Sequence, residues 1–355
     1  MHYLAEALAE IGHDVLFVDP PVSPLSILRH RSRVGDLVGP AAEHLATRLD
    51  LWRPRVFPGQ NSAAGQVGNA RIVERGITRR QGRPDLTLTS SLESRGLMAR
   101  LDGRRAYICI DSFEDLPDVD AGALRQRERE LLRHVDFVIA CSKPLQHQLR
   151  ERGTESAYVA HGCDPAFVVA DGARPLPPEL ATRPRPFVGF VGSMNFRIDA
   201  RLLDAARRGA DGGTLVLVGG WSSAAGPRSD PTVAKILADP ACCAVGFRDA
   251  SVLPDYIAAL DVGLVPYAAR PFNRKSYPMK IPQYLGAGIP VVSTPNGATD
   301  ELGELIEIAD DPATFEAAVT RAAADRDPHR RAARRASAAT RPWTVVAAEI
   351  LAAGE

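Results

Sequence analysis

The sequence has no surplus of either charge. Lys+Arg and Asp+Glu each number 43 in 355 residues, so the formal net charge is zero. A protein whose main task is to neutralise nucleic acid or an acidic membrane is strongly basic. The balance therefore argues against nucleic acid as a partner and leaves membrane contact at most peripheral.

Long apolar runs are also missing. No stretch approaches the roughly 18–20 apolar residues that a transmembrane helix needs. Glu6, Glu10 and Asp14 interrupt the first residues, where a signal peptide has a continuous apolar core. These features predict a cytoplasmic protein.

Cysteine is scarce. The five cysteines are odd in number and form no Cys-x-x-Cys or Cys/His cluster with metal-ligand spacing. They are interpreted as buried thiols. We therefore expect no bound metal and no cofactor.

Lysine is scarcer still. Only four of the 43 basic residues are lysines, and two of them, Lys275 and Lys280, fall within residues 274–280. Coincidence on an exposed loop is one interpretation. The other is that both lysines serve an anion that binds there.

What the sequence does contain is a repeated alternation of short apolar strands and helices. The first strand is expected at Val15–Val18, after a helix that starts near the first residue. Such alternation is typical of a parallel sheet covered on both faces. The chain is longer than one core normally fills, which predicts two domains.

A proline-rich segment without periodicity divides the pattern. The strand pattern restarts at Phe187. We expect an N-terminal Rossmann-like domain over 1–168, a linker over 169–186, a second Rossmann-like domain over 187–338 and a C-terminal crossover helix over 339–355.

The beginning of the pattern is unusual. A doubly wound domain normally opens with a strand, and this chain opens with a helix. We expect the first strand of the N-terminal domain to be missing. Either that strand is absent, or the start of the chain lies downstream of it.

Ligands of open parallel sheets bind beyond the carboxyl ends of the strands. In the second half, glycines such as Gly192 follow strands and let backbone amides approach a phosphate. The loop 270–280 adds four cations at the entrance of a helix, whose N-terminus favours an anion. This pattern predicts a diphosphate site at Arg270, Arg274, Lys275 and Lys280, with Gly192 and Tyr277 also expected to bind the donor.

The segment from Ser276 to Thr294 resembles the donor-site signature of GT-B glycosyltransferases, especially family 4 and the related teichuronic-acid-type transferases. Weaker motifs agree in order, among them Ile110-Asp111, His161-Gly162 and Trp343 in the last helix. The resemblance covers nearly the whole chain. It implies an α/β GT-B fold: two Rossmann-like domains that face each other across a cleft, with the C-terminal helix returning to the N-terminal domain.

The resemblance also implies site roles. The base of a nucleotide sugar is expected at Gly246, Phe247 and Arg248, and the diphosphate at Lys280, Arg197 and Thr294. Gln283 stands where the family usually has a glutamate that contacts the ribose. Glutamine keeps the hydrogen-bonding capacity of that position but not its charge, which bears on nucleotide preference.

Two residues are candidates on the acceptor side. Asp111 and His161 each follow a strand, and each is able to orient an acceptor hydroxyl or take its proton. An aspartate after a strand is also a common helix cap or turn former.

These features predict a hexosyltransferase-type enzyme. It would move a sugar from a nucleotide-diphosphate donor (UDP, GDP or dTDP) to a hydroxyl of a sugar, natural-product or cell-envelope acceptor. The resemblance implies retention of anomeric configuration. The alternatives are a nucleotide-sugar epimerase on the same fold and a non-catalytic nucleotide-sugar-binding partner.

Overall fold

The structure is a computed structural model that describes residues 1–21, 42–56, 63–170, 172, 174–221 and 230–355. Its strands are β1 (Val15–Val18), β2 (Ala42–Ala46), β3 (Leu49–Trp52), β4 (Leu86–Thr89), β5 (Arg104–Cys109), β6 (Phe137–Ala140), β7 (Ala157–Tyr158), β8 (Phe187–Val191), β9 (Thr214–Val218), β10 (Cys242–Gly246), β11 (Val262–Val265), β12 (Val291–Ser293) and β13 (Ile306–Ile308).

The α-helices alternate with these strands. They are α1 (His2–Glu10), α2 (Ala63–Gln81), α3 (Arg95–Met98), α4 (Ala121–Leu132), α5 (Lys143–Glu151), α6 (Ala200–Gly209), α7 (Pro231–Ala238), α8 (Leu253–Ala259), α9 (Pro271–Lys275), α10 (Lys280–Gly286), α11 (Thr299–Leu302), α12 (Pro312–Ala324), α13 (Pro328–Ala339) and α14 (Trp343–Ala352).

The C-terminal half is one parallel sheet of six strands in the order β10-β9-β8-β11-β12-β13. Every residue of β8, β9 and β11 is buried. Their sequences are almost wholly apolar because helices cover both faces of such a sheet. The carboxyl ends of these strands form one edge, and the candidate site lies there.

The N-terminal half contains two sheets. One is the parallel sheet β4-β5-β6-β7, and the other is β1-β3-β2, in which β3 pairs parallel to β1 and antiparallel to β2. The first predicted strand, Val15–Val18, is confirmed. Strands β2 and β3 were not predicted. Every residue of β2 is exposed, and the short run Leu49-Asp50-Leu51-Trp52 of β3 is interrupted by an exposed aspartate, so neither sequence has a continuous apolar run.

The two N-terminal sheets face each other across a cavity of about 1990 Å³. Its lining includes Leu16 and Val18 of β1 and Leu86 and Leu88 of β4. Within the described residues, β1 and β4 do not pair with each other or with any strand between them. The sequence predicted an unfilled strand position at this point of the N-terminal domain.

Helix α14 packs on the N-terminal half, as predicted. Trp343 stacks on Tyr3 of α1 with ring centroids 5.9 Å apart, and Val346 and Ile350 join Leu4 in one buried cluster. Just before the helix, Arg341 Nη2 donates to the carbonyl of Ala160 at 3.1 Å. The chain thus closes back on its first domain through an apolar interface.

The expectation about cysteine is also confirmed, since all five are free and buried. Burial raises the pKa of the Cys109 and Cys163 thiols to about 12. As for membranes, none of the described helices combines the length and the apolar character that crossing one requires.

Candidate active site between the domains

The floor of the site is a close approach of two glycine turns. Gly192 follows β8, and its N–H donates to the carbonyl of Val218 at 2.8 Å. Gly219 follows β9 with φ +141°, and a Cβ on it would lie 2.0 Å from the Gly192 carbonyl oxygen. Only glycine fits at 219, because a side chain there would overlap the backbone of the neighbouring turn.

Lys280 lies directly above this floor. A Cβ on Gly192 would stand 3.3 Å from Lys280 Nζ. The ammonium donates to the hydroxyl of Tyr267 at 2.7 Å and sits 4.6 Å from the centroid of the Phe190 ring. A hydrogen bond and an aromatic face therefore hold the charge at the carboxyl ends of the strands.

Arg197 extends from the loop after β8 toward the other domain. Its Nη2 lies 3.4 Å from Asp111 Oδ2, and its guanidinium stacks on Phe272 at 4.6 Å. Burial raises the pKa of the Asp111 carboxyl, and the neighbouring Arg197 offsets part of that rise. The structure thus brings Asp111, Arg197 and Lys280 to one cleft, although 86 residues separate Asp111 from Arg197.

Tyr267 joins the two cations. It is 3% exposed, and its hydroxyl faces both Lys280 and Arg197. Burial acts to raise the pKa of Tyr267, but the two cations outweigh it and the pKa is lowered. The sequence analysis assigned no role to Tyr267, although its place in Pro266-Tyr267, just beyond the end of β11, is a position where parallel sheets bind ligands.

The residues predicted for the base lie at the end of β10 and on the loop that follows it. Gly246, the last residue of β10, has φ +78°, and Phe247 is 74% exposed. Arg248 is held by Glu179, at 2.6 Å from Nη2, and by the Tyr256 hydroxyl, at 3.0 Å from Nε. Glu179 belongs to the segment predicted as a linker, and no sequence pattern marked it as a partner of Arg248.

Lys275 contacts the N-terminal half of the chain. Its Nζ is 2.6 Å from Asp115 Oδ2 and 2.5 Å from Gln148 Oε1, and its carbonyl accepts from Ser142 Oγ at 2.5 Å. All three partners belong to the N-terminal half. Lys275 therefore sits in a contact between the domains, and Arg274 beside it is exposed.

Lys275→Ala is expected to lower the stability of the protein by about 1–2 kcal/mol, because it removes the cation bound to the Asp115 carboxylate, while Gln148 keeps its hydrogen bond from Ser112. Nucleotide affinity should stay within about twofold of wild type, since the contact lies outside the Lys280 cluster. Thermal unfolding and titration calorimetry measure the two effects. Lys235→Ala on the exposed face of α7 is the matched control. A large loss of nucleotide affinity in Lys275→Ala would restore the diphosphate assignment.

His161 and Tyr277 pack against each other at the domain interface. Their rings meet edge-on at 5.4 Å, and Trp343 lies 5.7 Å from the imidazole. Burial lowers the pKa of His161 to about 4, so the ring is neutral near pH 7. Among the described residues its Nδ1 has no hydrogen-bond partner. Tyr277 is 6% exposed, which makes it a packing residue.

Two further predicted residues are Thr294, directly after β12, and Gln283 on α10. Thr294 is buried, and its hydroxyl donates to the Val265 carbonyl at 3.4 Å. Gln283 is half-buried on α10, and its side chain makes no hydrogen bond within the described part of the chain. Its amide is therefore available to a ligand.

Acidic and sulfur ligands do not gather in this cleft. Across the described residues, no group of three or more His, Cys, Asp or Glu side chains is arranged to hold a metal ion.

Part of the chain is similar in sequence to known proteins. Residues 185–325 match the family model described as glycosyl transferases group 1. Over 183 residues the chain is 24% identical to the protein of Bacillus subtilis strain 168 named teichuronic acid biosynthesis glycosyltransferase TuaH. That match covers 50% of this chain and 45% of the relative, so it spans less than half of the relative's length.

Solved structures resemble nearly the whole chain. Sucrose-phosphate synthase from Thermosynechococcus elongatus aligns with a TM-score of 0.74 and 18% identity, over 98% of this chain and 90% of that one. HepE from Anabaena, solved with UDP and glucose, aligns with a TM-score of 0.67 and 15% identity, over 96% and 98%. The predicted fold is thereby confirmed: the chain has the GT-B fold, and its residues 185–325 match the model of the group 1 glycosyl transferases.

Proposed function

We propose that this protein transfers a sugar from a nucleoside-diphosphate sugar to an acceptor hydroxyl in the cleft between its domains. The observation that carries the proposal is the cluster of Lys280, Tyr267 and Arg197 above the Gly192 turn, with Asp111 opposite. The cluster concentrates positive charge at the edge where parallel sheets bind ligands.

The two cations supply the electrostatics that the reaction needs. Breaking the bond between sugar and phosphate leaves negative charge on the departing diphosphate. Positive charges that are already in place stabilise this developing negative charge without the cost of reorganising solvent. Lys280 and Arg197 are held before any ligand arrives, so we propose that they do this work without a metal or cofactor.

Asp111 is proposed to act on the acceptor. A general base works best when its pKa is close to the operating pH, and burial moves the pKa of Asp111 upward in that direction. A bound diphosphate would compete for Arg197 and free the carboxylate to receive a proton from the acceptor. By its resemblance to family 4 we further propose retention of anomeric configuration, which product NMR would test.

The nucleotide base is proposed to bind at Phe247. An exposed aromatic ring offers a stacking face, and the fixed Arg248 offers hydrogen-bond donors beside it. HepE was solved with UDP, so a uridine nucleotide is the first donor to test. Gln283, free on α10, is proposed to face the ribose hydroxyls.

A nucleotide panel tests the proposal. UDP, GDP and dTDP are each added at the same concentration, and the one that binds should raise the stability, by about 2.7 kcal/mol where that concentration is 100 times its dissociation constant. The corresponding nucleotide sugars are then assayed for slow release of free nucleotide. Release supports transfer. Binding without release points to the non-catalytic alternative, and interconversion of the sugar without release points to the epimerase.

A further inference from the structure

The Tyr267 hydroxyl lies between the two cations of the site. Lys280 Nζ donates to it at 2.7 Å, and the Arg197 guanidinium faces the same oxygen. Tyr267 is 3% exposed, whereas Lys280 is half-buried and the Arg197 side chain is 25% exposed. The Tyr267 side chain is therefore more deeply buried than either charged group.

The backbone fixes this arrangement. Ala268 N donates to the Arg197 carbonyl at 2.7 Å, and Asp199 N donates to the Pro266 carbonyl at 2.9 Å. Ile198 and Tyr267 form an antiparallel bridge between these two bonds. Backbone hydrogen bonds thus join the loops that carry Arg197 and Tyr267 on both sides of the tyrosine, so the two loops hold each other in place.

The hydrogen-bond capacity of the phenol is only partly used. A tyrosine hydroxyl has one proton to donate and lone pairs to accept, while lysine and arginine only donate. Lys280 donates to one lone pair of the Tyr267 oxygen, and the phenol proton is left unassigned. Among the described residues, the Tyr267 hydroxyl makes no hydrogen bond to an acceptor. A group that supplies an acceptor oxygen between the two cations would complete the set.

We propose that Tyr267 is a positioning residue for the donor's diphosphate. Its oxygen holds Lys280 and Arg197 side by side, and its hydroxyl donates to a non-bridging phosphate oxygen. This inference rests on the proposed function, because it requires a nucleoside diphosphate in the cleft. Tyr267 would add a third hydrogen-bond donor beside Lys280 and Arg197. This donor would contact the phosphates and not the base or the ribose.

The first experiment compares UDP with uridine. Tyr267→Phe keeps the ring and removes the hydroxyl, so UDP affinity should fall by about 10- to 100-fold. Uridine affinity should not change, because uridine lacks the phosphates. Tyr107→Phe is the control, since Tyr107 is fully buried and its hydroxyl bonds Glu128 in the N-terminal half. It should leave both affinities as in wild type. In steady-state kinetics of Tyr267→Phe, with the acceptor bound, kcat should fall by a larger factor than KM rises.

The second experiment uses the wild-type protein, so its result does not depend on whether a variant folds. The other six tyrosines have raised pKa values, and only the pKa of Tyr267 is lowered, by Lys280 and Arg197 acting against burial. The first tyrosine to ionise in an ultraviolet pH titration should therefore be Tyr267. UDP should move that ionisation to higher pH, because its negative charge opposes the phenolate. Uridine should leave it in place.

The outcomes separate the two proposals. If the wild type binds no nucleoside diphosphate, both the proposed function and this inference are wrong. If it binds UDP but Tyr267→Phe binds UDP equally well, or UDP leaves the first tyrosine ionisation where it was, only this inference is wrong. Selective loss of UDP over uridine together with the upward move supports it.

Discussion

Lys280→Ala is expected to lower kcat by about 10²- to 10³-fold, the loss seen when one preorganised stabiliser of developing charge is removed. The ammonium stands above the Gly192 turn and is held by Tyr267. Its removal takes away a charge that the departing diphosphate meets, and leaves the Tyr267 hydroxyl without its donor. Steady-state kinetics with the donor identified by the nucleotide panel measure the effect.

The scarcity of lysine makes the control simple. Lys235→Ala removes an exposed ammonium from α7 in the same domain. It should leave kcat and donor affinity unchanged. If Lys280→Ala behaved like Lys235→Ala while remaining folded, the donor-site assignment would be wrong. A Lys280→Arg variant that recovers part of the rate would show that charge, and not chain packing, is what was lost.

Gly219→Ala is expected to destabilise the protein by about 3 kcal/mol or more, because the new Cβ meets a backbone oxygen in a conformation that L side chains rarely adopt. For a domain of this size the melting temperature should fall by about 6–12 °C. The overlap is with the Gly192 carbonyl at 2.0 Å, so relief of the overlap displaces the turn beneath Lys280. UDP affinity should therefore fall along with stability.

Gly220 provides the matched control for this substitution. A Cβ on Gly220 has no heavy atom within 4 Å, and its φ lies outside the positive range. Gly220→Ala should change stability by no more than about 0.5 kcal/mol. Equal melting temperatures for the two variants would contradict the close approach of the two glycine turns.

Much of the fold could be predicted from local patterns. Strands Leu86–Thr89, Phe137–Ala140, Thr214–Val218 and Val262–Val265 lie where the apolar runs placed them. The strands β2 and β13 were not predicted because their sequences lack a continuous apolar run. Strand β2 is exposed throughout, and β13 has a glutamate at its centre, so neither shows a buried run.

The two lysines of the 274–280 loop show where local patterns stop being sufficient. Both were predicted at the diphosphate, and their spacing offers no way to tell them apart. In the structure Lys280 points to Tyr267, while Lys275 points to Asp115 of the other domain. The difference depends on partners 13 and 160 residues away in the chain.

The amino-acid order thus determined the alternating strands and helices, the division into two domains and the edge of the sheet where charge gathers. These properties follow from the periodicity of apolar residues and from the positions of glycine and proline, and both are local features that span a few residues. The tertiary fold decided which cations face the cleft, that Asp111 meets Arg197, and that Tyr267 joins the two charges. Such pairings arise when distant strand ends are brought to one edge, and no local pattern encodes them.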